Sequence, residues 1–168
     1  MKRTALTKQA PHPWPFSHGT VVDGPARLVF LAGQVAYDRQ GPNRKLVGVG
    51  DPAAQTRQAI ENMRTLLRQA GGDLGDIVEM TAYVTDVGMM EPMGRVAQEY
   101  FADPLPAMSL IGVRELARPE FLIEIRAVAM IGAGRRRPTR ERLARGARRR
   151  SNGRRRAPRR RPRRGGGR

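Results

Sequence analysis

Residues 106–109, Pro-Ala-Met-Ser, and residues 122–129, Leu-Ile-Glu-Ile-Arg-Ala-Val-Ala, decide how this 168-residue chain folds. The first is a proline-governed turn that runs into a short apolar strand, Ser109 to Val113. The second is the core of a closing strand, Phe121 to Ile131, with one carboxylate set among apolar residues. On an extended strand Glu124 shares a side with Leu122, Arg126 and Val128, while Ile123, Ile125, Ala127 and Ala129 point the other way. Glu124 is therefore the candidate acid–base group. The plainer alternative is a structural ion pair with Arg126, two positions on and on the same face.

Working outward, the chain alternates strand and helix signals. Asp51-Pro52 is a helix start, an N-cap acid followed by proline at the first helical position. Ala59, Ile60, Met63, Leu66, Leu67 and Ala70 form an apolar stripe, with Gln55, Arg57, Glu61, Arg64 and Arg68 assigned to the other side. Gly71-Gly72 closes this helix. A second helix is predicted over about Met89 to Phe101, capped by Asp86, with Pro92 in its first turn. Strands are predicted over Phe16 to Val22, Leu28 to Tyr37 and Asp76 to Thr85, the first two as a β-hairpin across Asp23-Gly24-Pro25. Gly33 inside a strand implies a bulge or a close approach of another group. The order is β-β-α-β-α-β-β, an α+β plan with two helices on one face of a mixed sheet.

Three regions follow. Residues 1–15, with Pro11, Pro13 and Pro15, read as an extended arm, and residues 16–132 as the folded domain. Residues 133–168 read as a disordered tail, because glycine, proline and arginine runs with one large aliphatic residue, Leu143, bury too little to offset ordering entropy. The tail holds 18 arginines and one acid, whereas residues 1–132 carry equal numbers of acids and bases, so the formal net charge of +17 describes the tail alone. A strongly basic whole-chain charge is thus no evidence of a nucleic-acid-binding domain. The tail itself could bind nucleic acid without sequence preference, or be GC-rich sequence read past a lost stop codon. No cysteine is present, which excludes disulfides and thiolate sites. No apolar run approaches a membrane span, and the start lacks a signal-peptide core, so a soluble, cytoplasmic protein is expected.

A dozen local patterns over residues 16–131 resemble the Rid (YjgF-like) family in order and spacing. They include Phe16-Ser17, Leu31-Ala32-Gly33-Gln34, Asp51 with Gln55-Thr56-Arg57-Gln58-Ala59, Glu61-Asn62, Asp76-Ile77-Val78, Thr85-Asp86, Glu99-Tyr100-Phe101, Pro106-Ala107 and Glu124-Ile125. The resemblance implies a YjgF/chorismate-mutase-like fold and a homotrimer, the bare sheet faces forming a central barrel. It implies hydrolysis of reactive enamines and imines in three clefts between subunits, with no cofactor. In the family a tyrosine, a serine, an asparagine, an arginine and a glutamate line each cleft. The arginine and main-chain amides bind the carboxylate of a 2-imino or 2-enamino acid, and the glutamate places the attacking water. Phe16 stands at the tyrosine position, Ala32 at the serine, Gly94 at the asparagine and Met108 at the arginine, with Gly33 and Leu110 beside them. Glu124 is the polar group that remains.

Losing a guanidinium–carboxylate bond, about 1.5–3 kcal/mol net, weakens recognition of an amino-acid-like carboxylate by roughly ten- to a hundred-fold. Met108 either lines an apolar ligand pocket or plugs it. Three functions stay open: a trimer that binds or transforms a small neutral or weakly polar metabolite, a residual imine deaminase relying on Glu124, and a non-enzymatic module with a nucleic-acid-binding tail. His12 and His18 have no ligand-spaced acids or cysteines around them, which argues against a metal site. Ribonuclease chemistry ranks last, for want of a His/Lys/Glu constellation.

Overall fold

The computed structural model describes residues 1–8, 15–38 and 45–134. The predicted tail falls almost entirely outside them, as do Pro11, His12 and Pro13. The strands are β1 (Lys2–Lys8), β2 (Ser17–Asp23), β3 (Ala26–Gln34), β4 (Tyr37–Asp38), β5 (Lys45–Leu46), β6 (Ile77–Val84), β7 (Ala107–Gly112) and β8 (Ile123–Gly132). The helices are α1 (Pro52–Gln69) and α2 (Met90–Gln98). Six strands form one mixed sheet in the order β1-β2-β7-β6-β8-β3, and β4 and β5 form a small separate ribbon.

Helix α1 begins and ends as its sequence predicts. The Asp51 side chain accepts the Ala54 amide at 3.0 Å, Pro52 opens the helix, and Gly71 takes the positive φ (85°) that closes it. Helix α2 is preceded by a 3-10 turn, Val87–Met89, and the Asp86 side chain caps that turn through the Gly88 amide. Ile60, Met63 and Leu67 of α1 meet Met93, Val96 and Ala97 of α2 over Met80, Ala82 and Val84 of β6 and Ile123, Ile125, Ala127 and Ala129 of β8. Each fully buried Ile, Met or Leu in this cluster contributes about 1.5–3 kcal/mol. The other sheet face is bare of helices and exposes Leu28 and Phe30, the latter 70% accessible.

Three expectations are corrected. The two runs flanking Asp23-Gly24-Pro25 do not form a hairpin: β3 pairs with β8, while β2 pairs with β1 and touches β7 through Ser17 and Ala107. The positive φ of Gly24 (93°) turns the chain, but long-range partners take the hydrogen bonds on both sides. Residues 2–8 are a strand rather than part of an arm, paired antiparallel with β2. Their alternation is too polar to announce a strand. Gln55, assigned to the polar side of α1, is fully buried. It sits four residues before Ala59, so spacing places it on the buried stripe and only its polarity argues otherwise.

Arg3 locks the added strand in place. Its Nη1 donates to the Gly75 carbonyl at 2.5 Å and the Ile77 carbonyl at 2.6 Å, at the start of β6. Partial burial lowers the pKa of this guanidinium, and nearby Asp76 works in the opposite direction. Replacing Arg3→Met keeps the apolar stem and removes both bonds. The expected loss is about 1–3 kcal/mol in urea unfolding, with faster amide exchange across residues 2–8. Unchanged exchange there would show that strand pairing alone holds β1.

Candidate functional site

The site is built where β3 and β8 part company. Leu31 pairs with Ala127 and Gln34 with Ile125, so β3 spends one residue more than β8 over that interval. This is the bulge expected at Gly33. The Gln34 side chain, itself buried, donates Nε2 to the Ala32 carbonyl at 2.8 Å and the Gly33 carbonyl at 3.1 Å, which fixes the loosened backbone. Beyond the bulge Gln34 returns to the core-facing register, opposite Ile125.

Glu124 lies directly against Gly33. A Cβ built at residue 33 would overlap the Glu124 carboxylate and come within 2.8 Å of its Cγ. Glycine permits this close approach, since the carboxylate occupies the space of the missing side chain and a Cβ there would make Glu124 swing aside. Glu124 is half-buried on the bare face, opposite Tyr83 of β6. Among the described residues its carboxylate has no hydrogen-bond or ion-pair partner: Arg126 shares the face but is not paired with it. The simplest structural role for Glu124, the ion pair, is therefore not the one it plays within the chain.

Two buried amides of α1 hold this end of the sheet. Asn62 Nδ2 donates to the Val35 and Tyr37 carbonyls at 3.0 and 2.8 Å, pinning the chain just past the bulge. Gln55 Nε2 donates to the Gly48 and Glu120 carbonyls at 3.0 and 2.7 Å, and its Oε1 accepts the Leu122 amide at 2.9 Å. The entry to β8, two residues before Glu124, is thereby fixed from the helix. Sequence reasoning missed Gln55 as a positioning residue, although its place four residues before Ala59 was the available signal.

The candidate residues separate into two groups. Ala32 and Gly33 lie at the bulge with Glu124. Met108 and Leu110 pair with Met80 and Ala82, which places them on the helix-covered face, and they pack with Phe16 against the apolar core. Gly94 is buried on α2. Phe16 also meets the His18 ring edge-on at 5.6 Å, while Ser17 ties β2 to the turn before β7, its amide bonding Pro106 O and its hydroxyl Leu105 O at 2.9 Å each. Within one chain, then, the position read as the arginine site and the carboxylate lie on opposite faces of the sheet. Among the described residues no His, Asp or Glu cluster could hold a metal ion, and no helix is long and apolar enough to cross a membrane.

A groove that the sequence did not signal lies at the same end of the sheet. It encloses about 490 Å³ and is lined by Thr85, residues 114–119 and Phe121. Phe121 stacks edge-on against Tyr37 at 5.2 Å, and the Arg118 guanidinium lies 5.8 Å from the Tyr37 ring centre.

The endoribonuclease L-PSP family profile matches residues 7–131. A RutC family protein of Pyrococcus abyssi is 34% identical over 129 residues, 76% of this chain and 96% of the relative. Among solved structures, a protein of unknown function from the conserved Rid family, YyfB of Yersinia pestis, is 34% identical with a TM-score of 0.66, covering 78% of this chain and 100% of that one. A member of the YjgF/YER057c/UK114 family from Mycobacterium tuberculosis is 30% identical with a TM-score of 0.53, covering 77% and 100%. The resemblance seen in the sequence and the α+β plan of two helices on a mixed sheet are both borne out.

The Gly33–Glu124 contact makes a thermodynamic prediction. Gly33→Ala alone forces the Glu124 side chain out of its place and costs about 0.5–1.5 kcal/mol. In a Glu124→Ala background the clash is gone, and the same substitution is close to neutral. Urea unfolding of the four proteins in this cycle measures the coupling. Strict additivity would mean that the two residues are not in contact.

Proposed function

The chain belongs to the endoribonuclease L-PSP family, the Rid/YjgF group, and from that premise we propose that it binds a small metabolite above Gly33 and acts on it through Glu124. The observation that carries this reading is a half-buried carboxylate laid over a glycine with no partner of its own among the described residues. A carboxylate so placed is available to water and ligand rather than spent on structure.

The chemistry it fits best is hydrolysis of a C=N bond. Glu124 accepts a proton from water as the oxygen bonds to the imine carbon. It passes that proton to nitrogen, giving a carbinolamine, then carries the hydroxyl proton to the amine nitrogen as the C–N bond breaks and the C=O bond forms, releasing ammonia and a carbonyl compound. Water is the only co-reactant and no cofactor is needed.

A homotrimer completes the site in this proposal. Leu28 and Phe30 share the bare face with Glu124, and apolar surface of that kind is what a second copy covers. Phe16, Met108 and Leu110 pack against the chain's own core on the other face, so in this proposal only their half-exposed edges meet the neighbouring copy, and Gly94 stays buried on α2. Met108 offers no charge there, so recognition at those edges rests on shape and apolar contact.

The test uses the full chain and 2-iminopropanoate generated in situ. The expected results are a trimeric mass, measurable hydrolysis, and a fall in kcat/KM of about 10²–10⁴ in Glu124→Gln with the trimer intact. Full activity in Glu124→Gln would remove Glu124 from the mechanism.

A further inference from the structure

Residues 1–132 carry equal numbers of acidic and basic side chains, whereas residues 133–168 hold 18 arginines against one acid, Glu141. The fold does not absorb that excess. Glu61, Glu91 and Glu99 are paired with Arg64, Arg95 and Arg57 of the helices. Asp51, Asp73 and Asp86 cap helical turns. A body with no net charge has no acidic surplus with which to neutralise the +17 that follows it. The complement of that charge lies outside the chain.

Strand β8 sets where the arginine segment begins. Glu124 is the second residue of the strand and Gly132 the last, which separates them by about 26 Å of extended chain. The Ala133 amide bonds the Pro25 carbonyl at 3.3 Å, fixing the exit point. Met1 lies beside Gly132, and the exposed Lys2 pairs in register with Asp23 at this end of the sheet. The segment therefore starts at the end of β8 remote from Glu124. The family profile stops at residue 131, and the relatives named above are matched over 96% and 100% of their own lengths. The arginines are thus an addition to a body that is whole without them.

We propose that residues 133–168 bind nucleic acid through its phosphate backbone, without reading sequence, and tether the folded body to it. Residues 135–168 lie outside the described residues, and the argument for them is one of sequence. Arginine comes in triplets, at 135–137, 148–150, 154–156 and 159–161, followed by the pair 163–164. An extended chain advances about 3.3–3.6 Å per residue, close to the roughly 3.4 Å between phosphates on one strand. A triplet can thus meet successive phosphates, each held by a guanidinium fork. The segment has no aromatic residue to stack on bases, which removes the means of reading them. Leu143 is its one large aliphatic residue, so it offers nothing to seat in a lipid bilayer. This inference goes beyond the Glu124 chemistry and does not depend on it.

The probe is a fluorescent DNA duplex of about 20 base pairs, in two unrelated sequences, titrated with the full chain at roughly 50 to 200 mM salt. Both duplexes are expected to bind alike, with affinity falling about 10³-fold or more over that range, as neutralising some six phosphates requires. Arg154→Gln/Arg155→Gln/Arg156→Gln, made in the full chain, is expected to reduce the slope of log affinity against log salt by roughly two to three. A chain ending at Gly134 is expected to bind at least about a hundred-fold more weakly at the lowest salt. Equal binding by the shortened chain, an unchanged slope in the triple variant, or a strong preference for one sequence overturns the proposal. So does tighter binding to mixed phosphatidylcholine–phosphatidylserine vesicles than to the duplex at equal anionic charge, which assigns the segment to membranes instead.

Discussion

The carboxylate of Glu124 fills the space that a side chain at residue 33 would take, and the arrangement of the site depends on that contact. It needs a strand that departs from regular pairing at one point, because an unbroken β3–β8 ladder would give Glu124 a neighbour with a Cβ. The bulge between Leu31 and Gln34 supplies that departure. Gln34 then spends its amide on the two carbonyls that the bulge leaves over, so the irregularity does not propagate. From there the strand resumes its inward register, and the core behind it is undisturbed.

The sheet divides the labour of the fold. One face is given to stability: the alternate residues of β6 and β8 pack under α1 and α2, and Met108 and Leu110 belong to that side. The opposite face is left to solvent or to other copies of the chain, and carries Glu124, Arg126, Leu28 and Phe30. A residue on β7 and a residue on β8 can be close in sequence pattern and still be separated by the thickness of the sheet. The polar side chains of α1 bridge the two roles. Asn62 and Gln55 are buried with the core, yet their hydrogen bonds end on the backbone flanking the bulge and the start of β8.

Much of this was legible in the sequence, and the reasons are physical. Helix α1 carries both of its end signals and a regular apolar stripe, and the alternation of β8 places Glu124 on the correct face. Gly33 announced a bulge or a close approach, and it provides both. Strand β1 was not legible, because its alternation is too polar and its Arg3 anchor lies far along the chain, at the start of β6. The apparent hairpin at Gly24 failed for another reason: local turn chemistry is satisfied while the strands pair elsewhere. Gln55 was hidden by its polarity, since a buried amide is tolerable only when every partner is present, and those partners come from residues 48, 120 and 122. The groove at residues 114–119 has no periodic signature at all, being made by a loop folding back on Thr85 and Phe121.

The most direct test of the account is a crystal structure of the full chain with bound pyruvate. The keto carbon is expected beside the Glu124 carboxylate, on the open side of Gly33, with Glu124 hydrogen-bonded to ligand or water. A ligand seated elsewhere, with Glu124 closed into an ion pair with Arg126 or with a side chain of a neighbouring copy, would contradict it.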